Sequence, residues 1–356
     1  MATANSSCNL VQVGIMDLKE AGPGPVFTGL VVLYPDMVMV LDTMVWKLRV
    51  YSLQDGHLLA VYNRLLSRPR DMCICNICDD EIQIAVCLWD AGQIEILTIK
   101  STSQAPSITW VKTLNMKREF DECQGVTYSN DKLLISGMKK DSLCWGIVSI
   151  SDGHVGIVHK ICKCGVFSVT YLAKNPRDDT MVYISCWAGD CHEESGVYGY
   201  KSSKCEFFFQ HEDLKDPRGI VVDEQGYIFV CNQDPPSIHQ LTEKGQLLTI
   251  YKEGIPSVLQ AMFWEGQQGV LYVSNVPSNK ITIYKPVYSH PQDAAYIPAE
   301  ILRMNDKSIQ LFKEALRHGK ERVFNIRVMV VGHMGVGKTT LIKRLLGKEV
   351  NINEKK

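Results

Sequence analysis

The residues with the plainest chemical purpose lie near the C-terminus. In the stretch GHMGVGKTT, Gly332 and Gly337 stand five apart and are followed by Lys338, Thr339 and Thr340. This satisfies G-x-x-x-x-G-K-[ST], the phosphate-binding loop pattern. Glycines at both ends let the backbone curl so that successive N–H groups point inward as an anion nest. Gly332, His333, Met334, Gly335, Val336 and Gly337 would form that cradle. Lys338 would reach the β- and γ-phosphates, and the Thr339 hydroxyl would ligate Mg2+. Thr340 would open a helix whose positive end faces the phosphates. The flanks agree: residues 325–331 (NIRVMVV) read as an apolar strand and residues 340–346 (TLIKRLL) as a helix.

Two further groups invite chemistry. The 13 cysteines include CICNIC (Cys73, Cys75, Cys78) and CKC (Cys162, Cys164). A zinc site needs two matching knuckles, and the CKC pair has the wrong internal spacing. Cys87, Cys186 and Cys231 sit inside apolar runs, as reduced buried thiols do. Polar residues also recur near strand ends: Asp42, Asp90, Asp190 and Asn232. They would either ring a central channel or bond the backbone of their own corners, as Asx residues do, and the second role is the expected one. Asp79–Asp80 and Asp178–Asp179 read as solvated turn tips.

The elements that must carry these residues follow from an internal repeat. Residues 217–251 (PRGIVVDEQGYIFVCNQDPPSIHQLTEKGQLLTIY) read as four short strands, at 219–222, 227–231, 238–241 and 247–251, separated by Asp, Asn and Gly turns. The same order appears at 30–61 and at 125–158, and more faintly at 69–114, 165–210 and 258–286. Val40, Val86, Ile135, Ile184, Val230 and Val273 mark the second strands, at intervals of 46, 49, 49, 46 and 43 residues. Four antiparallel strands repeated every 40–50 residues predict an all-β, six-bladed β-propeller over residues 1–288. The surplus strand in NLVQVGIM (residues 9–16) is expected to close the ring by completing the last blade.

The best unit resembles the NHL repeat, with Pro217, Gly219, Ile220, Val222, Asp223, Gly226, Ile228, Val230, Ile238 and Gly245 on its pattern. The first unit departs from it, carrying Tyr34-Pro35-Asp36 where the D-x-x-G turn belongs. The resemblance implies a binding propeller whose loops take a protein or, less in keeping with this chain, RNA. Some other six-bladed propellers are metal-dependent hydrolases, which is a further alternative.

Residues 289–324 read as a linker followed by an amphipathic helix, with Ile309, Phe312, Ala315 and Leu316 on its apolar stripe and Gly319 as its stop. Residues 325–356 (from IRVMVVGHMGVGKTTLIKRLLGKEV) resemble the opening of a Roc-type GTPase of the Roc-COR class. That resemblance implies GTP or GDP with Mg2+, with ATP as the runner-up, and dimerisation through domains beyond this segment. Met334 departs from Ras-like enzymes, which carry Gly there. No D-x-x-G or N-K-x-D follows the loop, so the segment is expected to be a truncated α/β fragment with negligible GTP turnover.

Hydrophobic residues make up 46% of the 356 and charged residues 22%, a globular balance. The chain holds 38 Lys and Arg against 39 Asp and Glu. Residues 301–356 hold 13 and 5 of these, leaving 25 and 34 for the first 300. An acidic propeller disfavours a general nucleic-acid binder. Neither a secretory signal nor a membrane-spanning run is apparent, so a cytoplasmic protein is expected. A scaffold or sensor propeller heading a signalling GTPase is the leading reading. An RNA-binding or ubiquitin-ligase adaptor and a propeller hydrolase stand as alternatives.

Overall fold

A computed structural model describes residues 8–288, apart from positions 23, 34–35, 79–80, 101–104, 164–168, 190–191 and 256–257. Strand β1 (Cys8–Asp17) precedes the first blade, which consists of β2 (Phe27–Leu33), β3 (Met37–Asp42), β4 (Lys47–Ser52) and β5 (Leu58–Tyr62). Blade two holds β6 (Pro69–Cys78), β7 (Glu81–Leu88), β8 (Gln93–Lys100) and β9 (Ser107–Asn115). Blade three holds β10 (Glu122–Ser129), β11 (Lys132–Lys139), β12 (Ser142–Ser149) and β13 (Val155–Lys163). Blade four holds β14 (Val169–Lys174), β15 (Met181–Trp187), β16 (Gly196–Lys201) and β17 (Lys204–Phe209). Blade five holds β18 (Pro217–Val222), β19 (Ile228–Asn232), β20 (Ser237–Leu241) and β21 (Leu247–Tyr251). Blade six holds β22 (Val258–Glu265), β23 (Val270–Val276) and β24 (Lys280–Tyr288), with β1 as its fourth strand.

This is the six-bladed propeller that the repeat predicts. Each of the six residues used to measure the period lies in the second strand of its blade. The ring closes as expected: β1 pairs antiparallel with β24 from Cys8 opposite Tyr288 to Asp17 opposite Lys280. A blade cannot bury both faces alone, and here every core lies between neighbours. Leu33, Met39 and Leu41 of blade one pack with Ile84, Val86 and Leu88 of blade two. Five further clusters fill the remaining junctions, the last joining Met16, Tyr272 and Ile281 of blade six to Phe27, Val38 and Val40 of blade one.

Three of the innermost strands begin earlier than hydrophobic alternation indicates, while β6 and β22 begin where their units are read, at Pro69 and Val258. The unit read from 30 opens with β2 (Phe27–Leu33), that read from 125 with β10 (Glu122–Ser129), and the strand read at 219–222 is β18 (Pro217–Val222). The reason is a bulge. Pairing with the second strand slips between Phe27 and Gly29, Pro69 and Met72, Cys123 and Gly125, Pro217 and Ile220, and Leu259 and Met262. In β2, β10 and β18 the extra residue breaks the two-residue period, and alternation is legible beyond it. Blade four alone pairs without a slip here, from Val169 opposite Trp187 to Lys174 opposite Val182.

Candidate functional site

A bulge turns the unpaired residue of a strand out of the ladder. In this ring the bulged position falls at the equivalent place in each inner strand. It carries Thr28, Arg70, Gln124, Arg218 and Gln260, and Thr170 is its counterpart in the unbulged β14. All six side chains are buried. Together they make a polar collar near the end of the channel where the inner strands start, called here the upper mouth.

The next residue in each inner strand alternates around the ring: Gly29, Asp71, Gly125, Tyr171, Gly219, Ala261. The glycines are places of close approach. A Cβ on Gly219 would stand 2.8 Å from the Met262 nitrogen, and one on Gly125 would stand 3.0 Å from Cα of Tyr171. Odd-numbered blades therefore press backbone against the following blade, and even-numbered blades carry the side chains.

Tyr171 reaches across the axis. Gln260 Nε2, from blade six, donates to its hydroxyl at 2.6 Å. Gln233 Nε2 in turn donates to Gln260 Oε1. The Arg70 guanidinium of blade two lies 5.8 Å from the Tyr171 ring centroid. This crossbar separates the collar from a cavity of about 430 Å3, lined by all six inner strands and including Asp71, Met72, Tyr171, Ile220, Met262 and Trp264. Asp71 accepts the amide N–H groups of Met72 at 2.9 Å and Val126 at 3.0 Å. Burial nonetheless pushes its carboxyl up to about 7.

The two arginines differ in their company. Arg218 is ion-paired with Asp216, Nε to Oδ1 at 2.6 Å and Nη2 to Oδ2 at 3.0 Å, and lies 4.6 Å from the Trp187 ring centroid. Burial keeps Asp216 above the usual carboxylate range even so. Arg70 lies 5.1 Å from the Trp89 ring centroid, but among the described residues no side chain pairs with it and its Nε has no hydrogen-bond partner. Thr28 Oγ1 is likewise buried without one.

Asp42 and Asn232 bond the backbone of their own corners as expected, whereas Asp90 bonds the β5–β6 connection instead. Asp42 accepts the Met44 N–H at 3.1 Å and pairs with Arg49 at 3.4 Å. Asp90 accepts the Arg68 N–H at 3.3 Å and the Ser67 hydroxyl. Asn232 accepts the Asp216 N–H at 2.8 Å and donates to the Pro235 and Asp213 carbonyls. Asp178 binds Thr180 and Lys201 on an outer turn, and Asp179 pairs with Lys174. Asp190 and Asp79–Asp80 lie outside the described residues.

Cys75, Cys87, Cys186 and Cys231 are free and buried, Cys73 packs against the core between blades two and three, and burial raises the Cys75, Cys87 and Cys231 thiols. No cluster of three His, Cys, Asp or Glu able to hold a metal occurs among the described residues. The predicted nucleotide-binding residues, Gly332 through Thr340, lie outside them, as do the amphipathic helix carrying Ile309 to Leu316 and the divisions at 289–324 and 325–356. No described helix is long and apolar enough to cross a membrane.

Aligning the six units on the PRGI sequence of β18 would have exposed the collar, because Arg70, Gln124 and Gln260 are polar where strand cores are apolar. Attention to second-strand ends missed it.

Neither a protein family nor a curated protein sequence matches the chain. Solved structures do. A gluconolactonase from Xanthomonas campestris is 10% identical with a TM-score of 0.55, covering 78% of this chain and 89% of its own. A luciferin-regenerating enzyme is 16% identical with a TM-score of 0.57, covering 77% and 95%. A catalytically inactive virginiamycin B lyase from Staphylococcus aureus, solved with quinupristin, is 12% identical with a TM-score of 0.52, covering 78% and 99%. At such identities the likeness shows a shared six-bladed fold.

Proposed function

We propose that the propeller is a protein-recognition head, NHL-like in its repeat, joined to the start of a Roc-type nucleotide-binding domain. One observation carries the recognition role. The turn between β3 and β4 holds three consecutive large apolar side chains in solvent, Met44, Val45 and Trp46, which are 59%, 49% and 44% exposed. Trp46 takes a φ of 53°, a left-handed conformation that a bulky residue rarely adopts. The turn is fixed from beneath by Asp42 on the Met44 N–H and by the Thr43 hydroxyl on the Pro69 carbonyl. Leu66, 65% exposed, lies on the same face in the β5–β6 connection. An anchored apolar turn beside the upper mouth is the pattern of a partner surface.

The test is quantitative co-purification with the tagged full chain, with Trp46→Ser, and with Trp110→Ser on the outer strand β9. Proteins lost only from the Trp46 variant support the reading; three identical sets end it. For the nucleotide site, Gly332 through Thr340 bind GTP or GDP with Mg2+, Thr339 as the metal ligand. A fluorescent GTP analogue that binds the chain and not Lys338→Ala supports this, and equal binding by both removes it. Turnover above buffer would contradict the expectation that this segment does not hydrolyse GTP.

A second reading, a channel hydrolase, is favoured by Asp71, a buried carboxyl near neutrality on a 430 Å3 cavity, and by the enzymes that share this fold. The collar does not suit a divalent metal, since two of its six positions carry guanidinium groups. Any such chemistry would rest on Asp71 as general base. Lactone hydrolysis by the chain that Asp71→Asn abolishes would establish it.

A further inference from the structure

We infer that the upper mouth of the channel is a carboxylate-binding site built on Arg70. The site does not depend on the partner surface at Trp46. Its first support is the state of Arg70: 7% exposed, with a buried Nε that has no hydrogen-bond partner. A buried guanidinium without an acceptor is costly, and the cost is removed by an anion that takes its N–H edge.

The second support is the setting. Trp89 and Tyr171 hold the guanidinium by their ring faces, at 5.1 and 5.8 Å from their centroids. Stacking of that kind leaves the planar N–H edge free for a forked pair of hydrogen bonds. Trp89 is itself fixed by its Nε1–H on Glu122 at 2.6 Å, and Arg68 covers it at 4.6 Å from the ring centroid. Thr28 Oγ1, at the equivalent collar position of the neighbouring blade, is a second group with no partner.

The surrounding charges are mixed, since the Arg218 and Arg68 guanidiniums act on Arg70 alongside Asp71. Four carboxylates stand near, and each takes its donors elsewhere. Asp216 holds Arg218, Glu122 holds Trp89 and Gln124, Asp90 holds Ser67 and the Arg68 N–H, and Asp71 holds two backbone N–H groups. None cancels Arg70 by contact. A planar carboxylate matches its one free guanidinium edge in a forked pair of hydrogen bonds.

The test is a tryptophan-fluorescence titration of the full chain at constant ionic strength with acetate, chloride and phosphate. A saturable response to acetate is expected, stronger than to phosphate and absent with chloride. Arg70→Gln should abolish it, and Lys204→Gln on the exposed outer strand β17 should keep it. Should Arg70→Gln fail to fold, Arg70→Lys keeps the charge but loses the fork and should weaken binding about tenfold or more. A tetrapeptide with a free C-terminus that binds better than both acetate and its amidated twin places the group on a polypeptide; acetate binding alone places it on a small molecule. Either supports the site. A linear response, equal responses to all three anions, or an unchanged response in the folded Arg70 variant overturns it.

Discussion

Gln260 of blade six and Tyr171 of blade four meet across the propeller axis, the amide Nε2 donating to the hydroxyl at 2.6 Å. Blades that share no sheet edge are thereby tied together. Both residues are buried. Tyr171→Phe should cost about 1–3 kcal/mol by orphaning the amide. Adding Gln260→Leu should cost less than the sum of the two single changes. Urea denaturation of the four proteins measures the coupling; strict additivity would mean that the crossbar contributes nothing.

Ring closure gives a second expectation. β1 covers the edge of β24 and brings Cys8 under Tyr251 and Gln240, with its Sγ 3.1 Å from the tyrosine oxygen and 3.3 Å from the amide oxygen. Removing residues 1–20 should lower the melting temperature by roughly 10 °C or more, or prevent folding. An unchanged melting curve would show that β1 is dispensable.

His239 in β20 is fully buried, and neither ring nitrogen has a hydrogen-bond partner. Burial, with His211 nearby, lowers it from 6.5 to about 4. The unfolded chain therefore takes up this proton near pH 6.5 and the folded chain only near 4. Stability supplied by the neutral ring is full above this window and is lost as pH falls through it. From pH 7.5 to 5 the loss is about 2 kcal/mol. His239→Leu should remove that part of the acid slope, as read from denaturation midpoints at the two pH values. Parallel slopes for the two proteins would refute the assignment.

Gly219→Val tests the packing of adjacent inner strands. A Cβ there meets backbone at 2.8–3.1 Å on β22, which cannot rotate away. A loss of roughly 2 kcal/mol or more is expected, against less than about 0.5 kcal/mol for Gly156→Ala, whose nearest contact is 3.5 Å.

Blade number, strand order and closure were legible because they rest on turn chemistry and on the 43–49-residue period. Pro217–Val222 and Ile228–Asn232 show it most clearly. The corner roles of Asp42 and Asn232 were legible for the same reason: an Asx residue before a turn bonds locally. The collar was not. Bulges shift its residues out of the period that reveals strands, and the partners of Tyr171 lie in blades two and six, 89 residues away in the case of Gln260. The sequence shows a tyrosine in a strand; only the closed ring shows that it crosses an axis.

The alternation of Gly29, Asp71, Gly125, Tyr171, Gly219 and Ala261 makes this hexad a triangle of blade pairs. Each glycine-bearing strand is a socket for the strand that follows it. An evolutionary or engineered change of one blade would set socket against socket, or side chain against side chain, at a single junction. A change of two would preserve the rhythm. Blades of this propeller are therefore exchangeable in doublets, and a recombinant ring assembled from the doublet of residues 122–210 should close more readily than one built from any single blade.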